Sequence, residues 1–149
     1  MAREDDEIAL LNGLIRITLD SVEGYREAAG DARQPALKSH FAARSTERLE
    51  VVTLLREQVQ FLGGKPEDSG TALGGAHRVF TNLKALVAGE DDAAVLEEVR
   101  RGEKHLMNAF NEALDKSDAS LDTLDVIEEA HRQIAAGYEK MVLLSPDAT

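Results

Sequence analysis

A chain of 149 residues suits a single hydrophobic core and therefore one domain. Hydrophobic residues make up 43% of it but aromatic residues only 4%, so Leu, Val, Ile and Ala must fill the interior, which argues for helices and against a β-sandwich. With 17 Lys plus Arg against 28 Asp plus Glu, the formal charge of −11 repels nucleic-acid phosphates and anionic lipid surfaces, and the absence of Cys excludes disulfides and thiolate chemistry.

The first residues, MAREDDEIAL, lack the basic stretch and long apolar run of a secretory signal. No segment approaches the roughly 18 apolar residues of a membrane span. The expectation is a cytoplasmic protein with neither nucleic acid nor membrane as partner. Residues 6 to 29 then place Ile8, Leu11, Ile15, Val22, Tyr25 and Ala29 on one helical face, with Asp5 or Asp6 as cap and Gly30 as stop. Pro35 suits a first turn, and Leu37, Phe41, Val52, Leu55, Val59 and Leu62 form a second stripe ending at Gly63-Gly64. That second helix is about 27 residues, or about 40 Å, long.

Residues 63 to 75, GGKPEDSGTALGG, hold five Gly and one Pro and read as a loop. A short amphipathic helix of about 13 residues follows, with Val79, Phe80, Leu83, Leu86 and Val87 on one side; Gly89 stops it and Asp91 or Asp92 caps what comes next. Helix three runs from about 93 to 115 with Val95, Val99, Leu106, Phe110 and Ala113 inward. Helix four runs from about 121 to 144 behind a Ser120 cap, with Leu121, Leu124, Ile127, Ile134, Tyr138 and Val142 on its face, and the tail after Pro146 is loose. The fold class is all-α, a four-helix bundle. Short links at 30–34 and 116–120 make antiparallel pairs of helices one and two and of helices three and four. About 30 residues join the pairs, enough either to cross the length of the bundle or to merge with helix three at a kink.

Charges on apolar faces are the informative ones, because a buried ion is costly unless paired or metal-bound. Asp20, Glu23 and Glu27 fall off the first stripe, whose central polar residue is Thr18, and read as a solvated face. Arg44 and Arg48 lie between Phe41 and Val52, with Glu47 at the margin and Glu50 outside. Glu103 falls in the third stripe, and Glu128 and His131 flank the line of Leu124, Ala135 and Tyr138. The expected polar core is therefore Arg44, Arg48, Glu103, Glu128 and His131. His40 and His105 point outward, and His77 opens the short helix without a second ligand at helical spacing.

A pair of helices, a long connection and a second pair ending in Glu128-x-x-His131 resembles the ferritin-like bundles, in which inward Glu and Glu-x-x-His residues hold two metal ions. More closely, GLIRITLDSVEGYREAA, HRVFTNLKALVAGEDDAAVLEEVRRGE and EEAHRQI resemble an uncharacterised bacterial ferritin-like family, domain of unknown function 2383, over residues 7 to about 140. The resemblance implies a metal set drawn from Glu103, Glu128 and His131, joined by Glu47, Glu50 or Glu23, with iron or manganese as cofactor and iron-binding or oxygen or peroxide chemistry as activity. The first half departs from that pattern. Helix one offers Thr18 and Val22 where an inward Glu is wanted, and helix two offers Glu47-x-x-Glu50 without a His.

A divalent ion about 6 Å from an arginine meets repulsion on the order of 5 kcal/mol at an effective dielectric near 20. Arg44 and Arg48 also balance Glu103 and Glu128 in charge. The leading expectation is therefore a non-catalytic structural, interaction or stress-type protein, homo-oligomeric and without cofactor, whose core holds salt bridges in place of a di-metal site. A di-metal carboxylate protein is the alternative, and a small anion held by Arg44 and Arg48 is a third reading.

Overall fold

The computed structural model describes residues 2–70, 92–116 and 118–144, and these form four helices with no strand among the described residues. They are α1 (Ala2–Asp31), α2 (Pro35–Phe61), α3 (Asp92–Lys116) and α4 (Leu121–Val142). The short helix expected near 77 to 89, its apolar strip, His77 and the tail after Pro146 lie outside the described residues. No described helix is long and apolar enough to cross a membrane.

Helix ends depart from the sequence reading in ways that tertiary contacts explain. Asp5 and Asp6 stand inside α1 rather than before it, and Glu4 and Asp5 put negative charge in its first turn, where the helix dipole favours it. Gly30 does not stop α1: the Lys38 ammonium of α2 donates to the carbonyls of Ala29 and Gly30 at 3.1 and 3.2 Å, so the last turn is completed from outside. Pro35 occupies the first turn of α2. That helix closes on Gly63 at φ 85°, with Gly64 N–H bonded to the Val59 carbonyl at 2.9 Å and Gly63 N–H to that of Gln60 at 3.0 Å, the paired bonds of a Schellman end. Ser120 precedes α4, yet its hydroxyl donates to Glu7 of α1 at 2.8 Å instead of capping its own helix.

α1 packs most extensively on α2, and α3 packs on α4, while α1 also meets α3 and α2 meets α4. The ring order is thus α1, α2, α4, α3, leaving α2 and α3 diagonal to each other. Contacts fix the directions: Ser45 reaches Val22, Gln58 reaches Thr123 and Asn111 reaches His131, so neighbours around the ring are antiparallel.

The described ends of the long connection stand at opposite ends of the bundle. The connection leaves α2 beside the start of α1, where a Cβ on Gly64 would lie 2.7 Å from the Ile8 side chain. From there it runs back along α1: Asn12 exchanges bonds with Lys65 and Glu67 at 3.1 and 2.9 Å, and Arg16 pairs with Glu67 at 3.0 Å. At the far end Asp92 accepts from the backbone N–H groups of Arg33 and Gln34 at 2.9 and 3.0 Å, so its carboxylate serves the α1–α2 turn. This path corrects the reading of Asp20 as solvated. Gly70 lies against it, close enough that a Cβ would come within 3.1 Å of the Arg16 carbonyl, and Asp20 is buried.

The apolar interior comes in two parts. Leu11, Ile15, Val52, Leu55, Phe110 and Ile127 lead one cluster, and Tyr25, Leu37, Phe41, Leu96, Val99 and Met141 lead the other. Between them lie Ser21, Ser45, Arg48 and Glu103, all buried.

Candidate functional site: a charged layer across the bundle

The layer is built around the Arg48 guanidinium, carried to the bundle axis by the apolar stripe of α2. It meets Glu103 of the diagonal helix α3 in a fork-on-fork pair, Nη1 to Oε1 and Nη2 to Oε2, both at 2.7 Å. Arg48 is 1% exposed and Glu103 0%. Longer contacts of 3.5 Å run from Nη1 to the Ser21 hydroxyl of α1 and from Nη2 to the Ile134 carbonyl of α4. The guanidinium carbon also stands 5.7 Å from the centre of the Tyr25 ring. One side chain from α2 therefore touches all three other helices.

Small residues make the space. A Cβ on Gly137 would lie 2.6 Å from Arg48 Nη2, so α4 approaches the guanidinium only because residue 137 has no side chain. Ser45 turns its hydroxyl to the Val22 carbonyl at 3.1 Å, and Thr18 turns its own to the Leu14 carbonyl at 2.7 Å, so neither competes for the ion pair.

Electrostatics follow from this closure. Burial works against a charged Arg48, but the adjoining Glu103 carboxylate outweighs it and holds the guanidinium pKa above its ordinary value. Burial pushes the Tyr25 phenol well up, and the negative charge of Glu103 adds to the shift while Arg48 opposes it. The phenol is thus held neutral.

Arg44 is buried one turn before Arg48 and pairs through Nη2 with Glu47 at 2.7 Å. The remaining residues singled out in the sequence are not brought to the layer. Glu128 is exposed, and His131 is half-buried with its Nε2 2.7 Å from Asn111 Oδ1. Both are corrections to the expected polar core. The buried line of α4 is Thr123, Ile127, Ala130, Ile134, Gly137 and Met141, whereas the sequence projection was drawn through the larger Leu124 and Tyr138, which are half-buried. Gly137 can stand on this face because the Arg48 guanidinium occupies the volume in front of it. Glu23 is exposed and paired with Arg26 at 2.7 Å, and Glu50 is exposed. Among the described residues no three His, Asp or Glu side chains converge closely enough to hold a metal ion.

Ser21, Ser45 and Gly137 belong to the layer and were missed in the sequence. The available signal was a glycine inside a helix, which costs about 1 kcal/mol relative to alanine and so marks a close approach. Away from the layer, a groove of about 910 Å³ lies between α1 and α3, floored by Leu10, Gly13, Leu14 and Ala113 and edged by Asp6 and Glu112.

The family model described as Domain of unknown function (DUF2383) matches residues 6–116, which takes in Arg44, Arg48 and Glu103 and stops before α4. No curated protein matches the chain.

Proposed function

The chain belongs to the family described as Domain of unknown function (DUF2383), and from that premise we propose a non-catalytic structural or interaction protein whose charged layer stands where ferritin-like bundles hold a di-metal centre. The observation that carries this reading is the Arg48–Glu103 pair on the bundle axis. A guanidinium there would repel a divalent ion by on the order of 5 kcal/mol at 6 Å and an effective dielectric near 20. It also occupies the carboxylate that a metal would need. Glu128 and His131, the nearest match to a Glu-x-x-His ligand pair, face away from that axis.

The same reading includes assembly with further copies of the chain. Phe61 and Leu121 are 72% and 79% exposed, on the facing ends of α2 and α4, and a subunit contact would cover them. Native mass spectrometry of protein purified without chelator, then mixed with iron(II) or manganese(II), tests both parts. The expected species is a metal-free oligomer. Near-stoichiometric metal that is lost in Glu103→Gln would overturn the structural reading in favour of a di-metal carboxylate protein, and a monomer at micromolar concentration would remove the assembly.

A further inference from the structure

Arg48 and Arg44 are both interior cations, but only one is closed. Glu103 takes two nitrogens of Arg48. Arg44 is 5% exposed, and its Nε and Nη1 are buried with no acceptor among the described residues. A buried donor left unpaired loses its bonds to water without replacement, so two on one side chain mark a place where an acceptor is wanted.

Among the described residues the carboxylate on Arg44 is that of Glu47, three residues along the same helix and 38% exposed, which reaches Nη2 alone. Nε and Nη2 form one edge of the guanidinium, two parallel N–H groups that match the two oxygens of a carboxylate. Glu47, tethered at i+3, uses half of that edge and remains partly in water.

We propose that Arg44 anchors a binding site for a small monocarboxylate, and that Glu47 is the internal stand-in which the ligand displaces. Charge selects the class. With Glu47 swung into solvent, Arg44, Arg48 and Glu103 leave the layer with one net positive charge, which a monoanion cancels and a phosphate dianion overfills. The chain's overall charge of −11 opposes a dianion further. Entry is at the position of Glu47, since the rest of Arg44 is covered. The ligand adds to the structural role of the layer, because the Arg48–Glu103 pair stays in place.

Titrating ¹⁵N-labelled protein with acetate, with phosphate and chloride in parallel, while following the Arg44 Nε–H resonance assigned through Arg44→Lys, tests this directly. The expected result is a saturable shift with acetate that phosphate and chloride do not reproduce. In Glu47→Gln, which removes a tethered competitor of millimolar effective concentration, the midpoint falls several-fold. An unmoved Nε–H in both the parent and Glu47→Gln would overturn the site, and so would acetate binding that persists in a folded Arg44→Lys. A stronger response to phosphate would overturn the assignment to carboxylates.

Discussion

Tyr25 shows how one buried side chain links the charged layer to solution conditions. Its phenol lies under Arg48 and beside Glu103, and burial holds its pKa well above the ordinary 10.0. The folded chain therefore keeps this proton at a pH where the unfolded chain has released it. The associated stability is fully present below the unfolded value and is lost as pH rises from about 10 toward the folded one. Tyr25→Phe removes the group that titrates. Its melting temperature, followed from about pH 8 to about pH 11, is expected to decline less steeply than that of the parent. Parallel declines would show that Tyr25 makes no such contribution.

At the scale of elements, each helix end is settled by what lies next to it. α2 ends with two bonds that require Gly63 in the left-handed region at φ 85°. The connection then folds back against α1, where the missing side chain of Gly64 admits Ile8. A side chain at 63 would strain the turn that aims the connection, with no clash to relieve, since open space surrounds that Cβ. Gly63→Ala is expected to cost about 1–2 kcal/mol, read as a lower urea midpoint at unchanged slope. A neutral result would mean that the turn adopts another conformation at no cost. Lys38 at the end of α1 and Ser120 at the start of α4 belong to the same pattern, a helix terminus completed or diverted by a neighbouring helix.

For the whole molecule, the Arg48–Glu103 pair couples two helices that are otherwise diagonal, between two apolar clusters. Removing one partner leaves an uncompensated charge in the interior. Arg48→Met should lose about 3–5 kcal/mol, whereas a double replacement, Arg48→Met with Glu103→Leu, should return most of that because an apolar pair of similar volume avoids the desolvation of two ions. Chemical denaturation of the two single variants and the double variant measures the coupling. If the double variant is as unstable as Arg48→Met, the layer is held by its shape and not by its charge. If the double variant matches the parent but samples several conformations by NMR, the pair acts in selecting one helix arrangement rather than in stabilising it.

How far the sequence by itself reached follows from where each side chain stands. The all-α class, the four helices and the inward position of Arg44, Arg48 and Glu103 are legible because each rests on periodicity within one helix, and a charge on an apolar stripe is visible in one dimension. Glu128 and His131 were placed inward because Leu124 and Tyr138 outweigh Ala130 and Gly137 in hydrophobicity, although Ala130 and Gly137 are buried and Leu124 and Tyr138 only half so. Only the tertiary structure decides that. Gly137 marks a close approach within α4, but that an arginine from α2 is what approaches is not carried by the residues of α4. The bonds of residues 65–67 to α1, the burial of Asp20 under Gly70 and the bond from Asp92 to the α1–α2 turn likewise join residues far apart in the chain. Local pattern sets which face of a helix is apolar, while the partner that fills the space before it is set by packing alone.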